Sequence, residues 1–158
     1  MYLFVLSLHN VLRWAVLIAA VYALARTLPG VGGGRAWTGR EAVAARVYTS
    51  LTHLQLVVGL ALYLGLSPYM RTVLDNFGAA MKQDQSRFFA VEHSTGMIVA
   101  VVFATLGSSL SRRASGDQRK YRVASLWFGL SLLVMLLLIP WWRPLLRLFG
   151  VDVPGVGG

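Results

Sequence analysis

The sequence contains no cysteine. Disulfides, thiolate-bound iron–sulfur clusters, covalently attached c-type haem and cysteine-based zinc sites are therefore excluded. Acidic side chains are scarce: six Asp and Glu stand against fifteen Lys and Arg in 158 residues. Charge of either sign is scarce too, at 13% of residues, where a soluble domain carries roughly 25%. No H-E-x-x-H, no G-x-S-x-G and no pair of aspartates inside an apolar run occurs, so hydrolytic chemistry has no motif to rest on.

What fills the chain instead is apolar sequence, 56% of residues, with a mean hydropathy of +0.62. A helix needs roughly 20 apolar residues to cross the hydrocarbon core of a bilayer. Four runs meet that length, at about Tyr2–Ala25, Val43–Leu66, Phe88–Leu110 and Tyr121–Trp142. Little chain remains for a separate soluble domain. The expected fold is a single all-α domain over residues 1–158. It is an integral membrane up-and-down four-helix bundle, with a short interfacial helix between spans two and three.

The net charge of +9 would point to nucleic acid in a soluble protein. Here the bilayer accounts for it. Arg26, Arg35, Arg40 and Arg46 flank the first connection, and Arg112, Arg113, Arg119, Lys120 and Arg122 flank the third. The second is mixed, with Arg71, Lys82 and Arg87 against Asp75 and Asp84. The positive-inside rule puts the first and third connections in the cytoplasm and both termini in the periplasm of a bacterial inner membrane. Ala23-Leu24-Ala25 fits a signal-cleavage pattern, but no basic segment precedes the apolar run, and His9 and Arg13 interrupt it. The first span is expected to be a retained helix.

The connections differ in kind. The first holds Pro29-Gly30 and Gly32-Gly33-Gly34 and reads as a flexible turn, because no Lys-Ser/Thr completes a phosphate loop. In the second, Tyr69, Met70, Val73, Leu74, Phe77 and Met81 recur at helical spacing among charged residues. That pattern predicts a short amphipathic helix in the outer interface, serving as a plain connector, a lid over a cofactor edge or a docking face. The third is a short basic turn. The tail after Pro144 is expected to follow the interface and then fray.

Three histidines lie inside the apolar runs: His9, His53 and His93. An ionisable group in a bilayer usually faces a bundle interior, a cavity or a cofactor, and imidazole is an axial ligand of haem. At ~1.5 Å per residue, His9 and His93 both lie roughly 10 Å inside the outer ends of their spans, and His53 lies about 10 Å deeper. Spans one and three are diagonal in a four-helix ring. Two level imidazoles on diagonal helices suit the two axial positions of a haem b. Gly96, one turn beyond His93, would let a porphyrin approach the helix. Arg13, one turn below His9, needs an anion: a haem propionate or Glu92. Glu92 is alternatively a carboxylate accepting the proton of a ligating imidazole. His53 is a candidate proton relay, quinone partner or alternative ligand. A zinc or copper site built from His9, His93 and Glu92 also stays open.

Leu8-His9-Asn10-Val11-Leu12-Arg13-Trp14, Thr52-His53-Leu54-Gln55, Val58-Gly59-Leu60-Ala61-Leu62-Tyr63, Arg87-Phe88-Phe89-Ala90-Val91-Glu92-His93 and Ile139-Pro140-Trp141 resemble a family of small four-span bacterial membrane proteins usually labelled "cytochrome b". The resemblance covers nearly the whole chain except the glycine-rich first connection and the tail after Pro144. It implies haem b and electron transfer. Three readings follow. The first is a haem b electron-transfer subunit of a larger respiratory or photosynthetic complex, exchanging electrons with other membrane subunits or a periplasmic carrier. The second is a haem-free accessory subunit of a larger membrane assembly. The third is a quinone- or proton-handling protein centred on His53.

Overall fold

A computed structural model describes residues 1–142, so the tail after Pro144 lies outside the described residues. All regular structure within them is helical. The long helices are α1 (Tyr2–Thr27), α2 (Gly39–Ala61), α6 (Ser94–Arg113) and α7 (Asp117–Leu138). Short helices α3 (Pro68–Asp75), α4 (Phe77–Ala80) and α5 (Asp84–Arg87) fill the second connection. Two π-helical turns extend the long helices toward it, Leu62–Leu66 after α2 and Phe88–His93 before α6. With these extensions, four helical segments are long and apolar enough to cross a membrane.

The packing is a ring. The tightest pairs are α6 with α7 and α1 with α2, and α2–α6 and α7–α1 contacts close it. Helices α1 and α6 therefore stand on a diagonal. The inward stripe explains the arrangement. Val16, Ala20, Ala23 and Thr27 on α1 are buried, as are Ala100, Ala104, Gly107 and Ser111 on α6, and Tyr121, Ala124, Phe128, Ser131 and Met135 on α7. These positions alternate three- and four-residue steps, the spacing of a left-handed bundle. Most are small, which lets helix backbones approach where lipid offers no hydrophobic drive. At Gly107, a Cβ would stand 2.6 Å from a Phe128 ring carbon. The outer surface is apolar instead: Ile18, Val57, Leu64, Leu126 and Leu137 are all more than half exposed. An apolar surface around a small-residue core matches a lipid environment.

Several polar groups inside the ring are paired with one another. The Ser131 hydroxyl donates to the Ala100 carbonyl at 2.7 Å, which leaves its oxygen to accept from the Tyr48 hydroxyl at 2.6 Å. One chain of hydrogen bonds thus ties α2, α7 and α6. Glu41, almost fully buried, closes the capping box of α2 with Thr38 and takes the Arg26 guanidinium from the end of α1. The first and third connections meet at this same end: the Tyr121 hydroxyl donates to Ala36 at 2.9 Å and Arg122 donates to Val31 at 3.1 Å. All nine basic residues that flank these two connections belong to this end of the ring.

Two expectations need correction. The second connection is three short helices rather than one, because Asn76 leaves helical geometry (φ −131°, ψ 57°) and Gln83 is extended (φ −109°, ψ 119°). Its Met70, Val73 and Ala80 still form an apolar cluster with Ala90. The fourth span ends at Leu138 rather than Trp142. Ile139 is extended (ψ 130°), as the residue before Pro140 must be.

Candidate functional site

At the end of the ring opposite the basic connections the helices part around a cavity of about 410 Å3, within the usual range for a small-molecule or cofactor site of roughly 300–1,000 Å3. Its walls are mostly apolar. Helix α1 contributes His9 and Arg13, α2 contributes Gln55 and Gly59, and the two π-helical turns contribute Tyr63 and His93. Tyr69 and Met70 of the second connection also line it, so that segment covers one end of the cavity.

The π-helical turns are what aim these groups. A π-turn shifts each backbone bond by one residue and is frequent at functional sites. Here it makes the Ala90 carbonyl available to the Tyr63 hydroxyl at 2.9 Å and the Ser94 hydroxyl at 2.8 Å. The two distorted turns are thereby tied to each other beside the cavity.

His93 is held by the far end of α7. Its Nδ1 lies 2.8 Å from the carbonyl oxygen of Leu138. A carbonyl only accepts, so Nδ1 carries the proton and Nε2 the lone pair. The Leu138 carbonyl is one of the last in its helix and has no intrahelical partner. Pro140 removes another donor from the same end, and the Trp141 indole supplies Leu136 with a bond at 2.8 Å instead. Phe88 and Phe89 flank the His93 ring at centroid distances of 5.8 and 6.0 Å. An imidazole with Nδ1–H on a backbone carbonyl is the arrangement that metal-ligating histidines use to fix tautomer and orientation.

His9 faces the cavity from α1. The Gln55 amide nitrogen lies 3.0 Å from the His9 carbonyl and 3.3 Å from His9 Nε2. Gly59 makes room for the ring: a Cβ there would come within 3.1 Å of His9 Cε1. Two buried polar atoms, His9 Nδ1 and Gln55 Oε1, have no hydrogen-bond partner. Such atoms call for a partner from outside the chain, a water or a ligand group.

The structure thus brings His9, His93 and Arg13 to one cavity, and it separates the remaining candidates. His53 is exposed on the outside of the ring, 3.1 Å from the Thr105 hydroxyl of α6, and does not line the cavity. The alternative His53–His93 ligand pair is not assembled. Gly96 faces α7 rather than a cofactor, since a Cβ there would collide with the Leu138 side chain. Glu92 is exposed and accepts from Arg87 Nε at 3.0 Å, so it pairs neither with Arg13 nor with an imidazole across the ring. Among the described residues no three His, Asp or Glu side chains converge, so the zinc or copper site of His9, His93 and Glu92 does not form.

Sequence reasoning missed Gln55 and Gly59 as site residues. A signal existed: Tyr48, Thr52, Gln55 and Gly59 step by four, three and four, on the buried stripe of α2, whereas His53 falls off it. No known family profile matches the chain, and neither a curated protein nor a solved structure matches it significantly. The fold and site define a class, a four-helix protein built for a bilayer with a histidine-bearing cavity near one end.

Proposed function

We propose that this protein is a haem b electron-transfer subunit of the bacterial inner membrane, with His9 and His93 as the axial ligands. The observation that carries the reading is the pair of imidazoles on diagonal helices facing one apolar cavity, with His93 already held in the ligating tautomer. The residues present fit the group: two nitrogen donors, apolar walls, two orphaned polar atoms and a guanidinium in the cavity wall.

Haem b, when bound, supplies a one-electron couple. The chain does the rest. Leu138 and the rings of Phe88 and Phe89 keep His93 in one orientation. Arg13 places positive charge in the cavity wall, where it would stabilise a propionate. The mostly apolar walls would limit the access of water to the iron. The second connection, through Tyr69 and Met70, covers the cavity end that a periplasmic carrier or a neighbouring membrane subunit would approach. The nine basic residues at the opposite end support cytoplasmic first and third connections and periplasmic termini.

An oxidised-minus-reduced visible spectrum of the purified protein tests this. A narrow α band on reduction is the expected result. His9→Ala and His93→Ala each remove the low-spin signature, because six-coordination needs both, and His53→Ala leaves it intact. A flat spectrum from protein expressed with adequate haem refutes the proposal and leaves the haem-free accessory subunit.

A further inference from the structure

The two cavity histidines are held in different ways. His93 is anchored through Nδ1 by the Leu138 carbonyl. His9 is held through Nε2 itself. The orientation of the Gln55 amide is settled by its bond to the His9 backbone carbonyl, which can only accept, so nitrogen and not oxygen faces His9. The same amide nitrogen lies 3.3 Å from the His9 ring nitrogen. An amide nitrogen offers no lone pair, so the ring nitrogen accepts, and the proton of neutral His9 sits on Nδ1. That proton has no acceptor, and Gln55 Oε1 has no donor. The hydrogen bond that orients His9 therefore uses the lone pair that an iron would need. Gly59 confines the other side of the ring, and both residues come from α2, one turn apart.

We propose that Gln55 is a latch on His9, so that His9 is a conditional haem ligand that binds only when the amide lets go. The inference rests on the haem b reading above. Iron and Gln55 compete for one nitrogen. Coordination by His9 is then weakened by the worth of the displaced hydrogen bond.

The test has one arm without haem and one with it. In haem-free protein labelled with 15N-histidine, NMR should report His9 as the Nδ1–H tautomer in the wild type. In Gln55→Leu and Gln55→Asn, where no amide reaches the ring, that preference should relax toward a mixture. In the second arm, free haem is titrated into wild type, Gln55→Leu and Gln55→Asn in detergent. Loss of the latch should raise the six-coordinate low-spin fraction and tighten binding about fivefold, the worth of one ordinary hydrogen bond. His9→Ala should abolish the difference between them. Helical circular dichroism of each variant establishes that it is folded, and Gln55→Asn removes reach while keeping an amide. An Nε2–H tautomer in the wild type overturns the latch whatever haem does. So does a fall in the low-spin fraction in both folded variants, which would make Gln55 a support for ligation rather than a brake. Absence of haem binding by every protein refutes the haem reading, and the NMR arm still decides the latch.

Discussion

Gly96→Ala separates two roles for that glycine, packing of α6 on α7 and clearance for a porphyrin. A Cβ at Gly96 would overlap the Leu138 Cδ1 and lie 3.3 Å from Leu138 Cγ and 3.8 Å from Val134 Cγ1. Adding a methyl group to such a contact costs about 1–3 kcal/mol. Exchanging glycine for alanine inside a helix returns about 1 kcal/mol. The net expectation is destabilisation of about 0–2 kcal/mol, from the difference of these two terms. The sign alone does not decide the mechanism, but the background does. Leu138→Ala empties the space and leaves the Leu138 carbonyl on His93. In that background Gly96→Ala should be neutral or stabilising by about 1 kcal/mol, because only the propensity gain survives. The coupling between the two positions is then about 1–3 kcal/mol. Unfolding of the purified protein in mixed detergent micelles, followed by near-ultraviolet circular dichroism, measures all four species. An effect of Gly96→Ala that is equal in both backgrounds would refute the packing argument. A shift of the haem spectrum by Gly96→Ala that Leu138→Ala fails to reverse would restore the porphyrin role.

Three further outcomes are expected. Arg13→Leu should weaken haem retention and lower the midpoint potential, because loss of nearby positive charge favours the oxidised iron; an unchanged potential by redox titration would remove Arg13 from the site. Ser131→Ala should destabilise more than Tyr48→Phe, by about 1–3 against about 0.5–1.5 kcal/mol, since the first leaves a buried Tyr48 hydroxyl without a partner while the second leaves Ser131 on Ala100; equal losses in detergent unfolding would contradict the direction of that chain. Reporter fusions at Gly32 and Gly116 should read cytoplasmic and one at Gly78 periplasmic, and the reverse pattern would place the cavity at the cytoplasmic face.

Much of the architecture is written locally. Run length and charge placement mark four spans and a basic end, because a bilayer imposes length and topology residue by residue. Depth is a simple product of rise and position, so an expected level for His9 and His93 can be worked from the sequence. The end of α7 could be read at Ile139-Pro140, where proline restricts its neighbour. Break points in the second connection were not legible, since residues 69–81 keep helical spacing across Asn76.

Azimuth is where sequence alone ran out. In a soluble helix the apolar face announces the interior, but here both the core and the lipid-facing surface are apolar, so hydrophobicity cannot orient a helix. Small and polar residues mark the inward stripe instead: Tyr48, Thr52, Gln55 and Gly59 lie on it, and His53 does not. By itself the sequence determined that there are four membrane-length helices and which end is basic, and it gave the expectation that His9 and His93 are level. Only the tertiary structure decided that His9 and His93 share a cavity, that Gly96 serves Leu138, that Glu92 serves Arg87, and that a carbonyl at the end of α7 sets the tautomer of an imidazole on another helix. Those outcomes depend on helix rotation, which apolar periodicity does not fix when both faces are apolar, and on backbone groups that every residue possesses.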